Sequence, residues 1–284
     1  MFEKTQNKVA ASKERPIAIS NIAWSGEDNE AFLDLVASEG GRGIELAASL
    51  IWDEPVESSP GQRSQLRQMI ESRGLVVVGL HALLFSRPDL QLLATGDAGR
   101  QASEYLQRTI DLCADLGGRC LVMGGSKNRR RGELGVDEAK QRGVQVMREL
   151  GEYAAARGCY FALEALPPPA CDFVMNLTES EEVVSLAATP GLRLHFDSGS
   201  ASVTEQGTSD SVLTELMKNV SHCHVNDFEL LPPGTKKPEE HQRWARLLSD
   251  AGYEGWVSIE MRRSVVPAET IQQAIKFVKA NYLI

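Results

Sequence analysis

The sequence has few cysteines and no long apolar run. It contains five cysteines, and their odd number, with no Cys-x-x-Cys pair, argues against a disulfide framework and favours a reducing compartment. We interpret them as buried apolar side chains. No segment has the length and apolar character to cross a membrane, and the polar start at 1–15 lacks the apolar region of a secretion signal. We therefore expect a cytoplasmic protein with no membrane partner.

Positive charge is also scarce. The chain has 30 Lys and Arg against 39 Asp and Glu, a formal net charge of −9. Nucleic-acid binding depends on Lys and Arg that neutralise phosphates, so we expect no nucleic-acid partner. With 42% hydrophobic and 24% charged residues in 284, the composition is that of one globular domain rather than a disordered chain. We expect a flexible lead at 1–15 and one domain at 16–284.

Short apolar strands alternate with amphipathic helices along this domain. The strands predicted are 17–24, 43–47, 75–81, 119–124, 159–164, 192–197, 220–224 and 256–260. The helices predicted are 29–38, 61–73, 102–116, 137–156, 210–218, 239–251 and 268–281. Strand starts recur roughly every 26 to 44 residues, which favours a closed (β/α)8 TIM barrel. A doubly wound open sheet is the alternative, but no Gly-x-Gly-x-x-Gly follows the first strand.

Four of the later strands each end in a residue that can bind a divalent metal. These residues are Glu164, Asp197, His224 and Glu260. In a parallel barrel the carboxyl ends of the strands converge on one face, so all four could share one ion. Three carboxylates and an imidazole suit Mn²⁺, Mg²⁺ or Zn²⁺. The pattern therefore indicates a catalytic metal site.

The residues around these four positions resemble those of a known superfamily. The segments are Phe-Ala-Leu-Glu-Ala at 161–165, His-Phe-Asp-Ser-Gly at 195–199, His-Cys-His-Val-Asn-Asp at 222–227 and Val-Ser-Ile-Glu-Met at 257–261. Together they resemble the xylose-isomerase-like barrels, a group of sugar isomerases, ketose epimerases, dehydratases and endonuclease-IV-like enzymes. The resemblance covers roughly residues 16 to 282.

The resemblance implies the ligand set and its ion. In the epimerase branch, Glu, Asp, His and Glu at the ends of strands five to eight hold the metal, and Mn²⁺ is the ion we expect here. His224 matches better than His222, because the ligand is the second His of a His-x-His pair. Two departures concern the substrate: Ser200 stands where the epimerases have a substrate-contacting His, and no Arg follows Asp227 at the matching place.

A divalent ion on adjacent carbonyl and hydroxyl oxygens would acidify the C–H bond between them by stabilising an enediolate. Glu164 and Glu260 are the candidate bases. One base that returns the proton on the same face would give isomerisation, and two opposed bases would give epimerisation. Loss of a β-hydroxyl from the same intermediate would give dehydration. The residues leave this choice open.

Further polar residues near strand ends are candidates for substrate binding. His81 ends the third strand and could bind a substrate hydroxyl or assist proton transfer, although a structural role is equally compatible. We expect Asn21, Trp24 and Glu45 to line the pocket, Trp24 as an apolar wall against a sugar. His195 and His222 should lie one layer deeper as hydrogen-bonded barrel residues, and His241 on a helix surface.

The loop at 124–131 suggests the substrate's chemistry. Lys127, Asn128 and Arg129 could grip a carboxylate or phosphate. The alternative is a solvated basic loop, above all for Arg130 and Arg131. We therefore expect a small-molecule partner, a sugar or an anionic sugar derivative, and a possible homo-oligomer.

The leading hypothesis is a metal-dependent sugar isomerase or epimerase. A dehydratase or lyase on the same metal platform is the first alternative. A catalytically inactive sugar-binding barrel is another, and Ser200 in place of His keeps it open. An abasic-site endonuclease ranks last, because it needs several metals and a basic surface, whereas the chain has five His and a net charge of −9.

Overall fold

Eight parallel strands close into one barrel in the computed structural model, which describes residues 14–283. The strands are β1 (Ile17–Ser20), β2 (Gly43–Ala47), β3 (Val76–His81), β4 (Cys120–Met123), β5 (Tyr160–Leu163), β6 (Leu192–Asp197), β7 (Val220–Val225) and β8 (Val257–Ile259). Each strand pairs in parallel with its neighbours in sequence, and β1 pairs with β8 to complete the ring. The predicted (β/α)8 TIM barrel is confirmed.

Helices follow the strands around the barrel. They are α1 (Asn29–Ser38), α2 (Pro60–Glu71), α3 (Gly96–Asp115), α4 (Val136–Ala156), α5 (Leu177–Ala187), α6 (Ser198–Thr204), α7 (Asp210–Met217), α8 (Pro238–Asp250) and α9 (Pro267–Tyr282). Side-chain caps fix several starts: Asp28 accepts from two amides of α1, and Ser59 forms a capping box with Gln62 at α2. The first strand is shorter than the predicted 17–24, because residues Asn21–Trp24 form a 3₁₀ turn.

Two helices were not predicted. The first, α5, begins after Asn176, whose side chain accepts from Glu179 N and ends the long loop that follows β5. The second, α6, is a single short helix that starts directly at the end of β6, with Asp197 as its N-cap. This helix places the Ser200 amide next to the Asp197 carboxylate.

Apolar side chains from strands and helices form one large core cluster, and a second, much smaller cluster comprises Cys120, Val122 and Ala162 with Tyr160 packed against it. The strands also carry buried polar side chains, among them Glu45, His195 and His222. All five cysteines are buried and free, as predicted. Among residues 14–283, no helix has the length and apolarity of a membrane span.

Arg15, just before β1, is hydrogen-bonded to the C-terminal part of the barrel domain. Its buried guanidinium donates to the carbonyls of Tyr253 and Tyr282, at 2.8 and 2.9 Å, and to Ser249 Oγ at 2.8 Å. Arg15 is thus packed against the C-terminal part of the domain. Of the expected lead at 1–15, residues 1–13 lie outside the described residues.

Candidate active site

Three of the four predicted metal ligands meet at the carboxyl ends of β6, β7 and β8. Asp197, His224 and Glu260 each offer one ligand atom, and these atoms lie within 4.8 Å of one another. His224 Nδ1 is 3.1 Å from Glu260 Oε2 and 4.0 Å from Asp197 Oδ2. The parallel strands therefore bring together side chains that are far apart in sequence.

Glu164, the fourth predicted ligand, follows β5 and lines the same cavity as Asp197 and Glu260. Burial, together with the charges of Asp197 and Glu260, raises the pKa of Glu164 well above its usual value. Gly124 makes room for this side chain, since a Cβ there would collide with Glu164 Oε2. A larger residue at Gly124 would therefore displace the Glu164 carboxylate from this position.

The donor set fits a divalent cation. His224 Nδ1 is buried and has no hydrogen-bond partner, yet it faces two carboxylates. A buried polar atom without a partner is unusual in a folded protein and calls for a missing group. Carboxylate oxygens with one imidazole nitrogen are ligands that Mn²⁺, Mg²⁺ and Zn²⁺ accept. A cation there would also balance the carboxylates whose mutual repulsion contributes to the raised pKa of Glu164.

Glu45 on β2 orients His224 from below. Its Oε2 lies 2.9 Å from His224 Nε2 and 3.3 Å from His222 Nε2, and it accepts from Ser258 Oγ at 2.5 Å. An imidazole that donates from Nε2 to a carboxylate keeps Nδ1 free for a metal. Glu45 is fully buried and does not line the cavity. Its expected contact with substrate is replaced by this supporting role, because Glu45 lies two residues before the end of its strand.

His81 lies beside Glu260 at ion-pair distance, without the geometry of a hydrogen bond. Its Nδ1 lies 2.8 Å from Glu260 Oε1, and its Nε2 lies 2.6 Å from Ser20 Oγ. Burial opposes the charge on Glu260, but His224 and His81 lower the pKa of this carboxyl. His81 also lines the cavity. It is therefore placed both to support Glu260 and to reach a bound molecule.

Asn226 is a site residue that the sequence analysis missed. Its Nδ2 donates to Asp197 Oδ2 at 2.7 Å, while Ser200 N donates to Asp197 Oδ1 at 2.6 Å. These two bonds fix the carboxylate. The signal was available, since Asn226 follows His224 by two residues and strand alternation places both on the same side.

Above these residues is a cavity of about 560 Å³. Its floor includes Glu164, Asp197 and Glu260, and its wall comes from the loops after β3, β4, β5 and β7. Lys127 is the only lysine or arginine among the described residues that line it.

The loop after β4 differs from the expected anion clamp. Asn128 lines the cavity, but its amide nitrogen donates to the carbonyls of Arg87 and Leu90, both at 2.8 Å. Arg129 is buried and donates from Nη2 to the Glu164 carbonyl at 2.6 Å. It does not line the cavity, because its side chain turns inward beneath β5. Only Lys127 of the three predicted residues keeps a free charge facing the cavity.

Asn21 and Trp24, expected to line the pocket, have structural roles instead. Asn21 exchanges hydrogen bonds with the Ala47 backbone, accepting from its amide at 2.8 Å. Trp24 stacks on Phe32 with ring centroids 5.7 Å apart and donates to Asn29. Both follow from the 3₁₀ turn after β1, which directs these side chains away from the cavity.

The remaining histidines lie inside the molecule. His222 contacts Glu45 as expected for a deeper layer, but neither ring nitrogen of buried His195 has a hydrogen-bond partner, contrary to expectation. His241 is buried, not on the surface, because it faces the barrel from α8. It contacts Asp227 Oδ1 at 2.8 Å and the Tyr282 hydroxyl at 2.6 Å.

Comparison with known proteins agrees with this architecture. The model of the family described as xylose isomerase-like TIM barrel matches residues 33–281. No curated protein sequence matches the chain.

Several solved structures share the fold. A D-psicose 3-epimerase from Clostridium cellulolyticum H10 is 16% identical with a TM-score of 0.79, over 95% of this chain and 100% of that chain. An L-ribulose 3-epimerase is 17% identical with a TM-score of 0.79, over 94% of each chain. A 3-keto-D-glucoside 4-epimerase from E. coli is 17% identical with a TM-score of 0.76, over 94% of this chain and 100% of that chain. At these identities the likeness shows a common fold.

Proposed function

The chain belongs to the xylose isomerase-like TIM barrel family, and we propose that it is a divalent-metal-dependent isomerase or epimerase of sugars. The observation that carries the proposal is the convergence of Asp197, His224 and Glu260 at the floor of a cavity that Glu164 also lines. The names of its structural neighbours, which are sugar epimerases, agree with it.

In this proposal Glu164, Asp197, His224 and Glu260 hold the ion, with Mn²⁺ as the first candidate and Mg²⁺ or Zn²⁺ as alternatives. A bound divalent cation supplies electrostatic stabilisation of the negative charge that develops on two adjacent substrate oxygens as an enediolate forms.

The protein's own residues then move the proton. Glu164 and Glu260 follow β5 and β8, with β6 and β7 between them, and each exchanges a proton with the substrate carbon from its own side. His81 Nδ1 lies 2.8 Å from Glu260 Oε1. A proton that Glu260 takes from the substrate can therefore pass on to His81. Ser20 keeps the His81 ring in place.

The buried surroundings of Glu164 support its role as a base. Burial raises the pKa of Glu164, and a buried carboxyl is a stronger base than an exposed one; a bound cation would offset the contribution of the neighbouring carboxylates but not that of burial. Arg129 donates to the Glu164 carbonyl and so fixes the backbone that carries the carboxylate.

Replacing either base should stop proton exchange at the substrate carbon. We expect Glu164→Gln and Glu260→Gln each to slow deuterium uptake from D₂O by about a hundredfold or more, because a general base contributes at least that factor. The measurement follows carbon-bound deuterium by NMR in D-psicose, D-fructose and L-ribulose, with the Mn²⁺-loaded protein.

Glu133→Gln is the matched control, an exposed carboxylate in the loop after β4 that does not line the cavity. It should exchange at the wild-type rate. Full exchange in Glu164→Gln or Glu260→Gln would remove that residue as an essential base. Absence of exchange in every sugar by a metal-loaded wild type would contradict the proposed function, and formation of a product that has lost water relative to the substrate would identify a lyase.

A further inference from the structure

The mouth of the cavity is apolar, in contrast with its charged floor. Phe85, Phe228 and Leu230 are 77%, 37% and 36% exposed, and all three line the cavity. Leu166 and Pro167 continue the same wall. Large apolar side chains exposed around a concave site mark a surface that a ligand covers.

The backbone that presents these side chains is strained. Three non-glycine residues of the cavity wall have left-handed conformations: Ala82 at φ 52°, Glu229 at φ 66° and Leu230 at φ 57°. Such conformations cost free energy and persist where the surrounding structure imposes them. Ala82 begins the turn that carries Phe85, whose amide donates to the Ala82 carbonyl at 3.0 Å. The other two residues follow Phe228.

The loop after β7 is held in this shape by several bonds. Asp227 and Leu231 exchange backbone hydrogen bonds at 3.0 and 3.1 Å, and the Arg262 amide donates to the Leu230 carbonyl at 2.8 Å. Asp227 Oδ1 is also 2.8 Å from Nε2 of buried His241. The apolar wall is therefore a fixed part of the structure.

Among the described residues that line the cavity, Lys127 is the one lysine or arginine. Arg130 donates to the carbonyls of Pro169 and Ala170, and Arg129 is buried under Glu164. Glu229 adds a carboxylate to the wall. A phosphate or carboxylate at the far end of a substrate would find one cation and a nearby anion, so the mouth suits an uncharged group.

We propose that the substrate is a keto-sugar joined through a glycosidic bond to an uncharged apolar group such as an aryl ring, and that this group packs against Phe85, Phe228 and Leu230. The ring ketone, not the blocked anomeric carbon, then supplies the carbonyl that an enediolate needs. The placement of the sugar at the floor rests on the proposed function. The cavity of about 560 Å³ falls within the range of roughly 300–1,000 Å³ for sites of drug-sized ligands. Aromatic rings at the mouth offer stacking surfaces that a second ring would use.

The test compares phenyl and methyl glycosides of glucose, galactose and mannose by isothermal titration calorimetry on the full-length Mn²⁺-loaded protein. These probes lack the ring ketone, so they report binding at the mouth without turnover. We expect at least one phenyl glycoside to bind about tenfold or more tightly than its methyl counterpart, because the ring buries apolar surface. Phe85→Ala and Phe228→Leu should each reduce this preference by about threefold or more. Leu186→Ala is the control and should keep it, since Leu186 is an apolar side chain on α5 whose exposure of 50% lies between those of Phe85 and Phe228.

Phe85 is largely exposed, so its replacement leaves the core intact, and circular dichroism confirms the fold of each variant. Equal affinity for phenyl and methyl glycosides across all three sugars would overturn the proposal. So would a phenyl preference that survives both substitutions, or self-association that Phe85→Ala abolishes, since a second copy would then cover this wall. Failure of the proposed function is distinct: exchange into the ketoses would be absent while the phenyl preference persists.

Discussion

The strands of the first and second halves of the barrel contribute different groups to the site. From β5 onward, each strand ends at or next to a predicted ligand, namely Glu164, Asp197, His224 or Glu260. The first half contributes partners for those ligands. Glu45 on β2 contacts His224, and His81 on β3 contacts Glu260.

The difference separates binding from orientation. A ligand side chain needs a free lone pair at the cavity floor, whereas its partner has to lie deeper or to the side and fix its tautomer or rotamer. Glu45 is fully buried and orients His224. Ser20 on β1 acts less directly, because it contacts His81, which in turn lies beside Glu260. The two halves should therefore respond differently to substitution.

Removing a ligand from the second half should have the largest effect. We expect His224→Ala and Asp197→Ala each to abolish retention of the metal, because each removes one of three converging ligand atoms. Elemental mass spectrometry of gently purified protein measures this. Asp53→Ala, an exposed carboxylate after β2, is the control. Stoichiometric metal in either ligand variant would show that the ion is held elsewhere.

Replacing a residue of the first half that supports a ligand should weaken metal binding without abolishing it. We expect Glu45→Gln to lower metal affinity by about 10- to 100-fold, the usual effect of losing a carboxylate behind a ligating His. Competition with a chromophoric chelator gives the affinity. Glu57→Gln, an exposed carboxylate of the first half, should leave it unchanged. Complete loss of metal in Glu45→Gln would mean that Glu45 acts as a ligand, and the contrast between halves would fail.

The smallest effect should come from the most distant partner. We expect Ser20→Ala to lower kcat by about two- to tenfold with unchanged metal content, because one hydrogen bond to His81 is lost. Steady-state kinetics and elemental analysis on the same preparation test this. A change in metal content instead of kcat would place Ser20 with the ligand supports rather than with the proton path.

The sequence predicted the positions that depend on strand ends. Apolar runs stop at Asp197 and beside Glu260, and parallel strands must end on one face, so pattern and topology were sufficient to bring these residues together. The regular alternation of strands and helices gave the barrel for the same reason.

Residues whose roles depend on three-dimensional contacts could not be predicted. Glu45 meets His224 across a sequence separation of 179 residues, and nothing in the strand Gly43–Ala47 signals that partner. Arg129 looked like part of an anion clamp, because loops carry no periodicity that tells an inward side chain from an outward one. His241 is a different case, because its spacing from Trp244, Ala245 and Leu248 already placed it on the apolar face of α8, and the sequence analysis overlooked this.

Arg15 connects the N-terminal and C-terminal parts of the barrel, and this connection affects when the barrel can close during synthesis. Arg15 binds the carbonyls of Tyr253 and Tyr282, and β1 pairs with β8, so the ring cannot close while the ribosome is still adding the last strand and helix. Until then Glu45 and His81 lack His224 and Glu260, which are also translated late. A nascent half-barrel thus carries polar groups without partners, and the floor of the cavity assembles only after β8 and the helix that follows it have been made.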